Sequence, residues 1–217
     1  MKLLKDDIRR RILDVAEEDF LRLGYVGTSV RDIAKAASVG VGNIYCYFKS
    51  KDEIFSEVVR PVVRELDDMM QRHHGEVGED VMELLDEEYL RECTLEYVQL
   101  VRRQRDLLMI LLFRSEGSSM AGYRGEYTER SAVMVRGWLD RMRERYPEAG
   151  LDVSEAFMHL QMVWMFDVLE EVLRGDLTEG EVERLIGEYV RFEVCGWKAM
   201  FGLERVKDGK EHNENKI

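Results

Sequence analysis

Residues whose side chains can bind nucleic acid are concentrated between positions 41 and 51 of this 217-residue chain. Asn43 carries an amide that can hydrogen-bond the edge of an adenine, and Tyr45 and Tyr47 carry hydroxyls that can donate to phosphate. Lys49 and Lys51 place positive charge beside the start of a following helix, whose free backbone N–H groups also favour a phosphate. The segment is therefore a candidate DNA contact surface.

Other kinds of chemistry lack a matching pattern in the sequence. There is no Gly-rich phosphate loop, no Ser/His/Asp spacing and no metal-ligand cluster. His73 and His74 are adjacent and diverge on a helix, while His159 sits among apolar residues, which is typical of a core histidine. The three cysteines are widely spaced and odd in number, which suits neither a disulfide framework nor a zinc site. We expect no catalytic residues, no metal and no cofactor.

Three predicted helices position the candidate contact segment. The first covers about 7–23 and ends at Gly24, and the second covers 30–37 with Thr28 or Ser29 as its N-cap. The third covers about 41–48, after a break at 38–40. Two short helices joined by a tight turn can lay the second in the major groove, and Ala34 is small enough to let them touch.

The remaining pattern predicts helices nearly throughout. Ser50 and Glu53 form a capping box for a fourth helix over about 51–73, in which Pro61 predicts a kink or break near Arg60. Apolar residues then recur at helical spacing in five further segments, at 79–103, 105–115, 123–146, 154–174 and 178–203. Residues 178–181 repeat the capping-box pattern. The predicted fold is all-α, with about nine helices, and 204–217 reads as a flexible tail.

Charge supports a division of the chain near residue 60. The net charge is −12, but residues 1–60 hold 11 Lys/Arg and 10 Asp/Glu, a net of +1, which leaves −13 for the rest. DNA binding requires a local basic face rather than a basic protein. The sequence shows no export signal and no apolar stretch of the roughly 20 residues that cross a bilayer. These features favour a cytoplasmic protein without a membrane partner.

The N-terminal sixty residues resemble the TetR family of transcriptional regulators. The resemblance is carried by residues 28–37, Val39, Gly42, Ile44–Tyr45, Tyr47–Phe48 and 51–55, and with the first helix it covers about 8–60. It departs from the family pattern at Ser38, where the turn usually has glycine, and at Gly40, where helix three usually has a serine cap. Beyond residue 60 only the architecture is similar. The resemblance implies a helix-turn-helix domain at 1–50, with helix four connecting it to a larger ligand-binding and dimerisation domain at 51–203.

The resemblance also assigns DNA-contact roles. Thr28, Tyr47 and Lys51 fall at its phosphate-contact positions, and Val41, Gly42, Asn43 and Tyr45 at positions that face bases or backbone. The full predicted DNA-binding set is Thr28, Ser29, Arg31, Val41, Gly42, Asn43, Tyr45, Tyr47, Lys49 and Lys51. Two alternatives stay open: Tyr45 and Phe48 can instead be core residues that pin helix three, and the arginines at 9–11 can reach phosphate or form a solvated face.

The last two helices carry more apolar surface than one stripe requires. A second apolar face indicates burial against another molecule, and two such helices from each of two subunits make a four-helix dimer interface. The predicted interface residues are Phe157, Val168, Val172, Tyr189, Gly196 and Trp197. A dimer also presents two recognition helices about 34 Å apart, which suits a palindromic operator of double-stranded DNA.

A small-molecule effector is the third expectation. Methionine and aromatic side chains suit an adaptable apolar site, and the predicted set is Met109, Phe113, Tyr127, Met134, Trp138 and Trp164. Each can also be ordinary core, and the existence of a cavity follows mainly from the family resemblance. The sequence thus predicts a dimeric repressor that a small apolar or amphipathic molecule releases from DNA. The alternatives are a transcriptional activator, or an interaction protein that keeps the helix-turn-helix shape without binding DNA.

Overall fold

The computed structural model describes residues 2–76, 78–205 and 207, with side chains from residue 6 onward. Within these residues the regular structure is helical, and the predicted all-α class is confirmed. The helices are α1 (Lys2–Gly27), α2 (Val30–Ala36), α3 (Val41–Ile44), α4 (Lys51–His74), a 3₁₀ helix (Val81–Leu85), α5 (Glu87–Phe113), α6 (Tyr123–Arg145), α7 (Glu155–Arg174) and α8 (Glu179–Phe201). No described helix has the length and apolarity needed to span a membrane.

The chain forms two compact units. Unit 1 comprises 1–67 and 104–126, and unit 2 comprises 68–103 and 127–217. All three boundaries fall inside long helices, namely α4, α5 and α6, so contacts group the chain differently from the predicted functional division at residue 50. That functional division stays a prediction. Of the predicted tail, only Glu204, Arg205 and Lys207 lie within the described residues.

The helices α1 and α2 follow the predicted pattern closely. α1 begins at Lys2 rather than near residue 7, and its helical backbone is interrupted at Gly24, where φ is 70° and ψ is 172°. A residue with a side chain is strained at that φ, which explains why glycine ends the predicted helix there. Ser29 is the N-cap of α2, and its hydroxyl accepts a hydrogen bond from the backbone N–H of Asp32 at 3.2 Å.

The turn between α2 and α3 is left-handed at Ser38, where φ is 54°. Val39 closes the turn by donating its N–H to the carbonyl of Ala34 at 2.9 Å. The predicted span of α3 was too long: it covers Val41–Ile44 instead of 41–48. Gly40 supplies no side-chain cap, and beyond Ile44 the Cys46 N–H bonds three residues back, to Asn43, in a tighter turn.

The prediction of a break at Pro61 is wrong, because α4 is one helix from Lys51 to His74. Proline removes a single backbone hydrogen bond, while Val58, Val59, Val62 and Leu66 around it are buried and hold the helix in place. At its start the Ser50 hydroxyl accepts from the N–H of Glu53 at 3.0 Å, as predicted. The Glu53 carboxylate accepts from the N–H of Lys49 at 2.5 Å, one residue earlier than a capping box would require.

The helices of the C-terminal part match their predicted segments, with one change. The predicted helix 79–103 is a 3₁₀ helix capped by Asp80, followed by the first part of α5. α5 then continues through the predicted gap at residue 104, but Gln104 itself is non-helical, with φ of −120°. Thr178 and Glu181 form the predicted capping box of α8, and Gly202 ends that helix in the left-handed conformation.

Unit 1 has a compact aromatic core that supports the helix-turn-helix. The Phe20 and Phe55 rings meet edge to face at 4.9 Å, and the Tyr25 ring lies 5.3 Å from Phe55. The end of α5 completes the unit, because the Arg114 carbonyl accepts from the N–H of Tyr25 at 2.8 Å. The connection between α1 and α2 is therefore fixed from both sides.

Candidate nucleic-acid interface

The helix pair α2–α3 separates a buried face from an exposed one. Ile33, Ala34, Ile44 and Phe48 are at most 2% exposed, so α3 is held by apolar contacts on one side. Ala34 has the packing role that the sequence predicted for a small residue. Phe48 is a core residue, which resolves the alternative that the sequence left open.

The opposite side of α3 presents the predicted contact residues to solvent. Tyr45 is 54% exposed and Val41 38%, and Gly42 and Asn43 are also exposed. A side chain added at Gly42 would meet no atom within 4 Å, so the backbone there is open to an approaching surface. The side-chain amide of Asn43 makes no hydrogen bond to any described residue, and it is free for an external partner.

Tyr47 and Lys49 lie at the edge of this surface. Tyr47 is half-buried, and the Lys49 side chain is exposed while its N–H is used by Glu53. On α2, Arg31 is exposed and Lys35 follows it one turn later, also exposed. Ser29 is half-buried and committed to capping α2, with its hydroxyl donating to the Asp32 carboxylate at 2.5 Å. The available cations around α2 and α3 are therefore arginine and lysine side chains at the rim.

Thr28 requires a correction. Its side chain is 3% exposed, and its hydroxyl donates to the Gly24 carbonyl at 2.9 Å. A hydroxyl that is buried and already bonded cannot reach a phosphate without local rearrangement. Thr28 stabilises the connection between α1 and α2 in this structure.

Lys51 is also engaged within the chain. Its ammonium donates to the carbonyls of Tyr25 at 2.7 Å and Thr28 at 3.0 Å, and lies 4.1 Å from the centre of the Tyr25 ring. Burial lowers the pKa of Lys51. The side chain thereby fastens the start of α4 to one carbonyl in the last turn of α1 and to one just beyond it. Sequence reasoning missed this role, because it depends on two segments 26 and 23 residues away.

The arginines of α1 divide into two groups. Arg9 pairs with Glu57 of α4 and lies 5.2 Å over the Phe48 ring, so it holds unit 1 together. Arg10 and Arg11 are exposed. The structure thus assigns Arg9 to packing and leaves its two neighbours accessible to a phosphate.

The predicted effector residues are divided between the two units. Met109 and Phe113 belong to unit 1, whereas the other four belong to unit 2. In unit 2 the Trp138 ring meets the His74 ring edge-on at 5.1 Å, and the Tyr127 ring meets Phe166 at 5.4 Å. Met134 is half-buried on the same helix, and the Trp164 ring contacts Tyr189 at 5.3 Å.

A histidine pair at the end of α4 is a feature that the sequence analysis set aside. His73 is held between the carboxylates of Glu79 at 2.5 Å and Glu96 at 2.6 Å. Burial alone would lower the pKa of His73, but these two hydrogen bonds outweigh it and raise the pKa to about 9. Burial and the neighbouring His73 charge lower the pKa of His74 to about 3. One imidazole is therefore charged and the other neutral at pH 7.

The two rings diverge as the sequence predicted, with a tilt of 53° between them. Among the described residues, no group of three or more His, Cys, Asp or Glu side chains is placed to hold a metal ion. An open groove of about 990 Å³ lies between the first part of α5 and α8. None of the six predicted effector residues lines that groove.

The predicted dimer residues on α7 and α8 have unequal exposure. Phe157 is 39% exposed, its ring lies 5.5 Å from Trp197, and Gly196 is open on its outer side. Val168 and Tyr189 are half-buried. The predicted interface role of Val172 is wrong, because this residue has no exposed surface, packs inside its own unit and cannot contact a second subunit. Leu160 and Phe192, which were not in the predicted set, are 59% and 64% exposed.

Comparison with known proteins gives matches concentrated in the N-terminal part. The family model of bacterial regulatory proteins of the tetR family matches residues 12–58. The uncharacterized HTH-type transcriptional regulator YhgD of Bacillus subtilis is 38% identical over 60 residues, which are 28% of this chain and 31% of that protein. The HTH-type transcriptional regulator AcrR of Shigella flexneri is 32% identical over 109 residues, 49% of this chain and 48% of that protein.

Similarity of fold extends further than similarity of sequence. The transcriptional regulator FadR of Bacillus subtilis, solved in complex with stearoyl-CoA, aligns with a TM-score of 0.58 over 86% of this chain and 98% of its own, at 19% identity. Identity at that level supports the fold alone. The chain matches half or less of the length of the curated relatives named above. Residues 12–58, which contain the helix-turn-helix, therefore match the tetR family of bacterial regulatory proteins, and the all-helical fold of the chain is similar to that of FadR.

Proposed function

We propose that this chain is a cytoplasmic transcriptional repressor that binds a palindromic DNA operator as a dimer and is released by a small apolar or amphipathic molecule. The observation that carries the proposal is the two-sided α3 helix. Its inner side is fixed by Ile44 and Phe48, and its outer side presents Asn43 and Tyr45 with no competing contact for the Asn43 amide. Rigid support behind an exposed reading surface is what sequence-specific contact requires.

Contacts to DNA are proposed in two classes. Asn43 is the candidate for base recognition, because an amide can bond adenine at two positions in the major groove. Tyr47, Arg31 and Lys49 are the candidates for phosphate contact, which positions the helix without reading sequence. The exposed Val41 and Gly42 allow close approach of the helix to the groove.

A dimer is proposed through α7 and α8. Phe157, Leu160, Phe192 and Met200 form an exposed apolar set on these two helices, between 39% and 64% exposed. Apolar surface of this kind is costly in water and favours burial against an equivalent surface of a second copy. Two copies would supply the two reading helices that a palindrome needs.

Regulation is proposed to pass through α4. This helix contributes its first 17 residues, 51–67, to unit 1 and its last seven, 68–74, to unit 2. A ligand that binds unit 2 more tightly when α4 takes a different position would shift the protein towards that position. The resulting change in DNA affinity is limited by the difference in the ligand's affinity for the two positions of α4. FadR, a neighbour in fold, was solved with stearoyl-CoA, which is a property of that protein and supports only the presence of a ligand site in this fold.

The test is binding of the full chain to the DNA that flanks its own gene, measured by gel shift at two salt concentrations. Asn43→Ala should weaken specific binding about tenfold, since one bidentate base contact contributes about 1–3 kcal/mol. Gln99→Ala is the matched control, because it removes an exposed amide from α5 in the other unit. If Asn43→Ala binds the operator as tightly as Gln99→Ala does, or loses affinity equally for operator and unrelated DNA, Asn43 does not read a base. If the wild-type protein does not shift the DNA, the alternative of an interaction protein that does not bind DNA is favoured.

A further inference from the structure

A carboxylate interrupts the aromatic seam between α7 and α8. Glu193 of α8 is half-buried, and each of its two carboxylate oxygens lies 3.3 Å from Nε2 of Gln161 on α7. The indole N–H of Trp197, one turn further along α8, donates to the same carboxylate at 2.7 Å. Both partners are uncharged, and no described lysine, arginine or histidine pairs with Glu193. The seam therefore contains a negative charge without a counter-charge.

Aromatic pairs lie on both sides of this carboxylate along the two helices. The Phe157 ring of α7 lies 5.5 Å from the Trp197 ring, and the Trp164 ring lies 5.3 Å from the Tyr189 ring, one turn before Glu193. Phe157 is 39% exposed and belongs to the apolar set proposed for the dimer contact. The carboxylate is thus continuous with that contact, and a second copy bound there would displace water from it.

The charge of Glu193 opposes such an association. Burial within one subunit already raises the pKa of Glu193, although the hydrogen bond from Trp197 acts in the opposite direction. A two-fold contact brings the same surface of each copy together, so a symmetric dimer buries two of these carboxylates. Burying an ionised carboxylate without a counter-charge is strongly unfavourable, and one proton on each carboxylate removes that cost.

Gln161 can bond Glu193 in either protonation state. Its side-chain amide has N–H donors for the ionised carboxylate and, after rotation, a carbonyl oxygen that accepts from the O–H of the carboxylic acid. The Trp197 indole only donates, and a carboxyl oxygen can accept from it in both states. All three side chains therefore remain hydrogen-bonded when a proton is added.

The other ionisable groups around the seam are neutral, paired or exposed. Burial and the Glu193 charge raise the pKa of Tyr189, and burial raises that of Tyr97 on α5, whose ring meets Tyr189 at 6.2 Å. Lys198 pairs with Glu204 at 3.0 Å. Three further ionisable residues of α7 and α8 are exposed, namely His159, Asp167 and Arg191. Glu193 is therefore the group whose charge is set against the seam.

We propose that Glu193 takes up a proton from solvent when two copies associate through α7 and α8, so that each dimer binds two protons and acid conditions favour it. Glu193 thereby sets the strength of the contact, while the apolar side chains around it supply the attraction. The inference rests on the proposed dimer and adds the polar group that limits its affinity. Because a palindrome is bound by the dimer, DNA affinity depends on pH in the same direction.

The test is the dimer dissociation constant of the full chain between pH 5.5 and 8, measured by sedimentation of N-terminally labelled protein. We expect the constant to increase at least about tenfold over this range, with a slope of at most about two protons per dimer. The rate of exchange between labelled subunits gives the same comparison for a dimer too tight to dissociate on dilution. His73, with a pKa of about 9, keeps its proton throughout.

Variants assign the pH dependence to one group. Glu193→Gln keeps the hydrogen bonds without the charge, so it should dimerise at least about tenfold more tightly than the wild type at pH 8 and lose most of the pH dependence. Glu188→Gln is the matched control, because this exposed glutamate of α8 pairs with Arg184 at 2.9 Å. His159→Gln controls for the exposed histidine of α7. Both controls should keep the wild-type slope.

Two results would overturn the proposal while leaving the dimer in place. One is an equal pH dependence in the wild type and in Glu193→Gln. The other is a weaker dimer in Glu193→Gln at pH 8, which would show that a cation of the second copy pairs with the carboxylate. A wild-type protein that stays monomeric at every pH would instead remove the proposed dimer together with this inference. Operator binding by the same samples tests the regulator proposal separately.

Discussion

Unit 1 packs aromatic and aliphatic side chains around Phe20 and Phe55, and its buried Thr28 hydroxyl bonds a backbone carbonyl. Unit 2 encloses Nδ1 of His74 and Oγ of Ser131, for which the described residues supply no hydrogen-bond partner. The first arrangement produces a rigid platform for a fixed partner surface. The second leaves hydrogen-bonding capacity unused inside the unit. This difference indicates that the two units are stabilised in different ways. The variants described next test that difference in stabilisation.

The largest effect is expected in the aromatic core of unit 1. Phe55→Ala removes a ring with no exposed surface that contacts both Phe20 and Tyr25, so the free energy of unfolding should fall by about 3–5 kcal/mol. Urea unfolding followed by circular dichroism measures the change. Tyr45→Ala is the matched aromatic control: it should leave stability within about 0.5 kcal/mol and weaken DNA binding. A stable Phe55→Ala variant would contradict the platform description.

The next effect is a pH dependence that belongs to unit 2. The folded pKa of His73 is about 9, above the ordinary histidine value of 6.5, so the folded state holds the proton more tightly. The associated stability is fully present below about pH 6.5 and is lost as pH rises through 9. The shift corresponds to about 3 kcal/mol as an upper value, at 1.36 kcal/mol per pKa unit.

His73→Gln tests this assignment because it keeps a hydrogen-bonding side chain without the titrating charge. Free energies of unfolding measured between pH 6.5 and 9.5 should decline less steeply in the variant than in the wild type. Native-state hydrogen exchange should place the pH-dependent change in α4 residues 68–74 and in the facing part of α5. Identical slopes for both proteins would show that His73 is not the group responsible.

A smaller effect separates two lysines that look equivalent in sequence. Lys51→Met should lower the free energy of unfolding by about 1–2 kcal/mol, since its ammonium bonds the Tyr25 and Thr28 carbonyls but remains partly exposed. Lys49→Met should leave stability unchanged and reduce the salt dependence of DNA binding by about one unit of slope. Thermal melting and DNA titration at several salt concentrations measure both. The reverse pattern would return Lys51 to the phosphate role that the family resemblance implies.

The smallest expected change is at Gly42. Alanine there meets no atom within 4 Å, and replacing glycine in a helix stabilises by about 0.5–1 kcal/mol. Gly42→Ala should therefore raise the melting temperature slightly, while DNA affinity falls if the groove approaches the backbone closely. Gly180→Ala in the first turn of α8, equally open, should give the stability gain without the loss in DNA affinity. Equal DNA affinity in both variants would argue against close approach at Gly42.

Local sequence patterns were sufficient for the elements of the reading surface. Gly24, Ser29, Ser38 and the start of α4 act at the predicted positions, because caps and turns depend on a residue and its nearest neighbours. The outward position of Asn43 followed from helical spacing in the same way. Pro61 shows the limit of that reasoning, since buried residues on either side keep α4 continuous despite one lost hydrogen bond.

The sequence by itself determined the all-α class, the helix order and the exposed face of α3, since each depends on periodicity and on contacts within a few residues. Only the tertiary structure decided that Thr28 and Lys51 are bonded internally, that Val172 is buried, and that Nδ1 of His74 and Oγ of Ser131 are buried. Those outcomes depend on segments far apart in the chain. A side chain's type limits what it can bond, but the distant residues that fold against it determine which bonds remain available.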